Sequence, residues 1–185
     1  MNRVSDKKER LIESAARLFY QAGFKDTSIA DIAEDSGVPL GNVYYYFKTK
    51  DEMVAAVIEQ RAEMFKAWAM EWEQIPDPRQ RLFNLLDKQE SEKDQIAKYG
   101  CPVGSLCQEL DKGRTTVARG VDGLMSWVLK WITRQFQEMG QKDADRYGLQ
   151  MMSAIQGCSV VANALDDPKI IELEIARLKA WIKEM

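Results

Sequence analysis

Apolar residues recur every three to four positions along most of the chain, the spacing of one face of an α-helix. Leu11, Ala15 and Phe19 begin such a stripe, which stops at Gly23, a residue type common just beyond helix C-termini. No segment alternates polar and apolar residues with the period of two that a strand requires. The pattern therefore predicts an all-α protein of about nine helices.

Local capping signals predict where the next three helices begin. Ser28 and Asp31 have the spacing of a capping box and open a second helix, and a short third helix follows over 39–47. Thr49 and Glu52 repeat the capping-box spacing and open a fourth helix. At about 24 residues this helix should be roughly 36 Å long, enough to connect two domains.

Five further helices are predicted beyond a proline-rich break at 75–78. They cover 78–98, a short segment that ends near 111, then 115–139, 143–165 and the stretch from 168 onwards. We find no internal repeat and no low-complexity segment that would interrupt this helical series.

Composition narrows the possible functions. Of the 185 residues, 45% are hydrophobic and 30% charged, as in an ordinary soluble protein. No apolar run approaches the roughly 20 residues that span a bilayer, and no signal peptide precedes the first helix, so we expect a cytoplasmic protein. Histidine is absent and the three cysteines are scattered. This disfavours His-based catalysis and a zinc site, and we expect no metal and no cofactor.

Residues 27–47 match the helix-turn-helix plan, two short helices joined by a turn that contains Gly37. If Val43 and Phe47, four residues apart, pack inward, the rest of the third helix can enter a major groove. The net charge adds little evidence for DNA binding, because residues 1–50 carry eight Lys/Arg against seven Asp/Glu. The predicted DNA-binding residues are Thr27, Ser28, Pro39, Leu40, Gly41, Asn42, Tyr44, Tyr45, Tyr46, Lys48 and Lys50.

Most of these residues should fix position on phosphate, through tyrosine hydroxyls, lysine charge and the helix N-terminus at Thr27-Ser28. Asn42 has the geometry to read an adenine edge, and Leu40 can touch a thymine methyl. Gly41 lets the backbone approach closely. The alternative is that the tyrosines are core aromatics and the two lysines ordinary surface residues.

The sequence around the third helix resembles the signature of the TetR family of bacterial transcriptional regulators. The resemblance rests on GVPLGNVYYYFKTKDE at 37–52, with Leu-Phe-x-x-x-Gly-Phe at 18–24 and TSIADIA at 27–33 before it, about 45 residues in all. Many relatives carry Ser-Lys or Ser-Arg where Pro39-Leu40 stands here. The base preference therefore cannot be transferred.

The resemblance implies a homodimer, most often a repressor, that binds a palindromic operator in double-stranded DNA and is released by a small-molecule effector. Residues 1–50 would bind DNA, and 51–185 would bind the ligand and form the dimer through the last two helices. Residues suited to that interface are Ala154, Gly157, Ser159, Ala162, Ile171, Leu178 and Trp181, unless they pack inside the monomer.

Tryptophans at i, i+4 spacing, such as Trp68 with Trp72, belong either to the core or to the wall of a ligand pocket. Because no basic residue clearly faces inward, we expect an apolar or aromatic effector. The candidate pocket residues are Met64, Trp68, Phe83, Cys107, Met125 and Gln156.

Cys101 lies near the start of a predicted short helix. It is either a small buried hydrophobe or, with a lowered pKa, a sensor of oxidants or electrophiles, as in some regulators that the segment resembles.

Two other kinds of protein are weaker hypotheses. An enzyme would need chemistry that the chain does not offer, since histidine, a Gly-rich phosphate loop and a paired-carboxylate motif are all missing from the sequence. A helical protein-interaction module would use its tyrosines on a protein partner. It would have no salt-dependent affinity for DNA.

Overall fold

The computed structural model describes the backbone of residues 3–110 and 116–185, and the side chains of 6–110, 120 and 123–185. Within these residues there are ten α-helices and no strand, which confirms the all-α class. The helices are α1 (Arg3–Ala22), α2 (Ile29–Ser36), α3 (Leu40–Tyr46), α4 (Lys50–Trp72), α5 (Pro78–Ser91), α6 (Lys93–Tyr99), α7 (Gly104–Leu110), α8 (Thr116–Glu138), α9 (Ala144–Leu165) and α10 (Lys169–Lys183). In this described part, none of the helices is long and apolar enough to cross a membrane.

The helix predicted over 78–98 is two helices, and the ten helices of the described residues agree with the prediction of about nine. The break falls at Glu92, whose N–H donates to the Gln89 carbonyl (3.3 Å). The Ser91 hydroxyl donates to the Lys88 carbonyl (2.7 Å). Such side-chain bonds compete with the helical ladder. The helix ends predicted at 111 and 115 lie outside the described residues.

The predicted cap of α2 is present, and the predicted cap of α4 is present in part. Ser28 and Asp31 form a complete capping box, and α2 ends at Gly37, whose φ of 64° is left-handed. At α4 the N–H of Glu52 donates to the Thr49 hydroxyl (3.1 Å), as predicted. The Glu52 carboxylate, however, accepts the N–H of Lys48 (2.6 Å) rather than that of Thr49.

The chain divides into two compact units, and unit 1 consists of Met1–Met64 and Ser105–Leu124. It packs α1 against α2 and α2 against α3. It also includes the first part of α4, where Met53, Val54 and Val57 are buried. The packing boundary therefore lies beyond the predicted one at residue 50, because this apolar face belongs to the unit. The functional division into 1–50 and 51–185 stays a prediction.

Unit 2 consists of Phe65–Gly104 and Met125–Met185. In it α10 packs against α9 and α5, and α6 packs against α9. The largest fully buried side chains of this core include Leu82, Leu86, Ile96, Ile132, Phe136, Met151, Ile171, Ile175 and Leu178.

Candidate nucleic-acid interface

Two buried side chains anchor α3 in unit 1. Val43 is fully buried and Phe47 is 4% exposed, as the sequence pattern predicted. Ile32 and Ala33 of α2 are buried as well. Because one face of the short helix is fixed in this way, its remaining residues point to solvent.

The exposed face of α3 gathers most of the predicted DNA-binding residues. Leu40 is 44%, Tyr44 46% and Tyr45 74% exposed, which is unusual for apolar and aromatic side chains of this size. We define the α3 surface as these three residues with Pro39, Gly41 and Asn42, all of which are exposed. Tyr46 is half-buried, with its ring edge-on to that of Tyr45 at 5.1 Å.

Ser28 is exposed at the N-terminus of α2, but both of its donors are already used. Its N–H and its hydroxyl each donate to the Asp31 carboxylate (2.7 Å). These hydrogen bonds hold the pKa of Asp31 below its usual range. A phosphate at this helix end would therefore meet the carboxylate of Asp31 as well as free N–H groups.

Thr27 has a different position from the one predicted. Its side chain is 3% exposed, and its hydroxyl donates to the carbonyls of Gly23 (2.8 Å) and Leu18 (3.3 Å). This hydroxyl therefore closes the α1–α2 turn inside the unit, and the phosphate contact at the helix N-terminus stays a prediction.

The two lysines predicted to bind DNA, Lys48 and Lys50, differ in exposure and in the groups that they bind. Lys48 is exposed and its ammonium donates to the Tyr44 carbonyl, at the end of α3. Lys50 is half-buried, and its ammonium donates to the carbonyls of Phe24 (2.7 Å), Lys25 (3.2 Å) and Thr27 (2.9 Å). Lys48 is thus placed for a ligand at the surface, whereas Lys50 holds the turn before α2.

Three α1 side chains hold α2 in place. Ser14 and Arg17 both donate to the Asp35 carboxylate, and these bonds lower the pKa of Asp35. Arg10 donates to the carbonyl of Ser36 through Nε (3.1 Å), at the C-terminal end of α2. The α2–α3 pair is therefore fixed on α1 by polar bonds as well as by its core.

Sequence reasoning missed two contributors to this region. Lys8 is exposed, and its ammonium lies 6.0 Å from the centroid of the Phe47 ring, so the start of α1 adds positive charge near the end of α3. Glu109 of α7 contacts the α1–α2 turn through the N–H groups of Phe24 and Lys25. Both relationships join residues far apart in sequence, and no local motif marks them.

The predicted ligand residues fall in both units. In unit 2, the half-buried Trp68, Phe83 and Met125 pack against the core, and Gln156 lies beside Gly104. In unit 1, Met64 is 48% exposed and Cys107 is half-buried. The expectation that these six residues line one pocket stays a prediction.

Four of the residues assigned to the dimer interface are instead core residues of unit 2. Ser159, Ala162, Ile171 and Leu178 are fully buried within the single chain. Trp181 packs its ring on that of Phe136 at 5.6 Å. Only Gly157 of the predicted set is exposed, and Ala154 is half-buried. The assignment of these four residues is corrected, because their side chains are buried within the single chain.

Cys101 lies before α7, and its sulfur accepts the N–H of Gly104 (3.4 Å). Cys158 is buried, and burial raises the pKa of its thiol to about 11. Cys101 is therefore the more accessible of these two thiols.

Two buried residues anchor α3 in a helix-turn-helix and leave the α3 surface exposed. This arrangement is that of a DNA-binding protein. Residues 11–57 match the family model described as "Bacterial regulatory proteins, tetR family". Over these residues the chain is similar to the TetR family of transcriptional regulators. The relatives that it matches are named as HTH-type transcriptional regulators.

Individual relatives agree with this assignment. An uncharacterized HTH-type transcriptional regulator of Lactococcus lactis is 27% identical over 96% of this chain and 94% of its own length. The HTH-type transcriptional repressor KstR2 of Mycolicibacterium smegmatis is 35% identical over 29% of this chain and 26% of its own. A TetR transcriptional regulator structure from Chloroflexus aurantiacus shares the fold, with a TM-score of 0.87, 22% identity and coverage of 100% and 98% of the two chains.

Proposed function

We propose that this protein is a ligand-responsive repressor that binds a palindromic operator as a homodimer and is released by a small-molecule effector. The observation that carries the proposal is the α3 surface, with Tyr44 and Tyr45 exposed beside the buried Val43. As a bacterial regulator it would act on the chromosome in the cytoplasm. Residues 1–50 would form the DNA-binding part, and 51–185 the ligand-binding and dimerisation part.

On DNA, the residues of the α3 surface divide into two roles. Asn42 would read an adenine edge and Leu40 a thymine methyl, the two contacts that carry sequence information. Tyr44, Tyr45 and Lys48 would contact phosphates and fix the register. Pro39 and Gly41 keep the start of α3 free of bulky side chains, and Tyr46 supports Tyr45 from its half-buried position.

At the start of α2, the residues predicted from the sequence to contact phosphate take different roles in the proposal. A phosphate at Ser28 would meet the positive end of the helix, while the hydroxyl of Ser28 stays bonded to Asp31. Thr27 and Lys50 would act indirectly, because both bind backbone carbonyls of the turn before α2. They position the helix and leave the phosphate contact to their neighbours.

The exposed apolar faces of α9 and α10 support a homodimer. Val160 is 54%, Leu165 67% and Leu173 72% exposed, on helices that pack against each other. Small residues on the same sides, Gly157 and Ala176, allow a second helix pair to approach. Exposed apolar patches of this kind mark association surfaces, and a twofold arrangement pairs the patch with its own copy.

The aromatic cluster of unit 2 supports an aromatic or apolar effector. The Phe65 ring lies edge-on to Trp68 (6.5 Å), Trp127 (5.5 Å) and Trp131 (6.2 Å). A flat ligand would gain similar ring contacts. The effector releases DNA if it binds more tightly to a conformer whose two recognition helices no longer fit grooves one turn apart, about 34–36 Å.

Oxidant or electrophile sensing at Cys101 is a second candidate for the control of this protein. The side chain of Cys101 is only half-buried, and its sulfur accepts the N–H of Gly104. If the Cys101→Ser variant is released from DNA by an electrophile as readily as the wild type, this candidate is excluded.

Selection of binding duplexes from a random-sequence pool tests the main proposal. We expect a palindromic consensus, and two protomers per duplex in sedimentation equilibrium. A thermal-shift screen of aromatic compounds should then yield one that raises the melting temperature and releases the selected duplex. Failure to enrich any duplex would contradict the proposal.

A further inference from the structure

The α1–α2 turn is held from outside the first three helices by one carboxylate. Oε2 of Glu109, on α7, accepts the N–H of Phe24 (2.8 Å) and the N–H of Lys25 (3.3 Å). The other oxygen, Oε1, would lie 3.3 Å from a Cβ at Gly23, whose φ of +90° already favours glycine. All of these residues belong to unit 1, although α7 and the turn are 85 residues apart in sequence.

The same turn is held on its carbonyl side by Lys50, the first residue of α4. The ammonium binds the carbonyls of Phe24, Lys25 and Thr27 and lies 4.5 Å from the centroid of the Phe24 ring. The carboxylate of Glu109 thus takes the turn's donors and Lys50 takes its acceptors. Bonds that involve a charged partner are about twice as strong as neutral ones, so the pair fixes this segment firmly.

The position of the turn sets the position of the α2 N-terminus. Thr27 follows the turn directly, and its hydroxyl binds the Gly23 carbonyl (2.8 Å). Ser28, the cap of α2, is the next residue. A shift of Phe24 and Lys25 therefore moves the helix end at which a phosphate would bind.

We propose that Glu109 is a positioning residue for DNA binding, which holds the α1–α2 turn and with it the N-terminus of α2 in the position that DNA binding requires. The proposal rests on DNA binding by the helix-turn-helix. It adds a named residue outside residues 1–50 as a determinant of affinity.

The test compares Glu109→Ala, Glu109→Asp and Glu109→Gln with Gln108→Ala, an exposed neighbour on α7, as the control. Amide hydrogen exchange at Phe24 and Lys25, followed by NMR, reports on the turn. Fluorescence anisotropy with a duplex selected by the wild-type protein reports on affinity over a range of salt concentrations. Asp is too short to reach both N–H groups, whereas Gln keeps an acceptor oxygen in the same place.

We expect faster exchange and about tenfold weaker DNA binding for the Ala and Asp variants, and near wild-type behaviour for Glu109→Gln and for the control variant. The slope of log K against log salt should stay unchanged, because no phosphate contact is removed. The proposal would be overturned if the Ala or Asp variant showed faster exchange but bound DNA as tightly as the wild type. It would also be overturned if Glu109→Gln lost as much affinity as those variants. If the Ala variant does not fold, the Asp and Gln variants decide. If the wild-type protein selects no duplex, DNA binding itself is refuted. If the amides of Phe24 and Lys25 exchange at the wild-type rate in the Glu109 variants, the role of Glu109 is refuted whether or not the protein binds DNA.

Discussion

The Ser28 hydroxyl accepts the N–H of Asp31 at 3.1 Å, and the Asp31 carboxylate accepts the N–H of Ser28 at 2.7 Å. This reciprocal pair closes the N-terminus of α2. We expect Ser28→Ala to lower the free energy of unfolding by about 1 kcal/mol, as for other helix caps. Urea denaturation measures this, with Ser153→Ala, an exposed position inside α9, as the control. Equal stability of the two variants would show that the cap contributes nothing.

Asp35 should make stability depend on pH in the acid range. Hydrogen bonds from Arg17 and Ser14 lower its pKa in the folded protein. A carboxyl with a depressed folded pKa stabilises the fold above its unfolded pKa of about 3.9, and this contribution is lost as the pH falls through the folded pKa. Asp35→Asn should lose stability at about pH 6 but little near pH 2. Urea unfolding over this range measures it, and a pH-independent difference would contradict the assignment.

The two cysteines beside α7 and within α9 should differ in reactivity. The pKa of Cys158 is raised to about 11, mainly by burial, so its thiol stays protonated at neutral pH. Cys101 is half-exposed. We expect iodoacetamide at about pH 7.5 to alkylate Cys101 well before Cys158, as followed by peptide mass spectrometry. Alkylation of Cys158 at the rate of Cys101 in the folded protein would contradict this.

Leu173 of α10 is the most exposed apolar side chain of the proposed dimer surface. Leu173→Glu should shift sedimentation from dimer to monomer, because two carboxylates would be buried on the twofold interface. Met70→Glu is the matched control, since Met70 is 69% exposed on α4. A dimer that persists in the first variant, or one lost equally in both, would exclude this surface.

Local signals predicted the helices and the anchors of the site well. The Ser28–Asp31 spacing and the inward pair Val43 and Phe47 depend on residues within one or two turns, and both expectations are confirmed. Non-local partners could not be predicted in this way. Lys50 binds the carbonyl of Phe24, 26 residues away, and Glu109 is bound to a turn 85 residues away.

The assignment of residues such as Ile171 to the dimer interface was wrong for a different reason. α9 and α10 each carry two apolar faces, so that Ile171 and Leu173 look equivalent in the sequence. One is fully buried and the other 72% exposed. Periodicity identifies apolar faces but does not say which of them the chain covers by itself.

The claim that the α3 surface binds DNA is tested most directly by measuring DNA affinity over a range of salt concentrations. Fluorescence anisotropy with a selected duplex would compare the wild type with Tyr44→Ala, Lys48→Ala and Lys142→Ala, the last an exposed lysine between α8 and α9. We predict at least about tenfold weaker binding for Tyr44→Ala. Lys48→Ala should lower the slope of log K against log salt by about 1 per subunit, with Lys142→Ala unchanged. Wild-type affinity and slope in both Tyr44→Ala and Lys48→Ala would contradict the account.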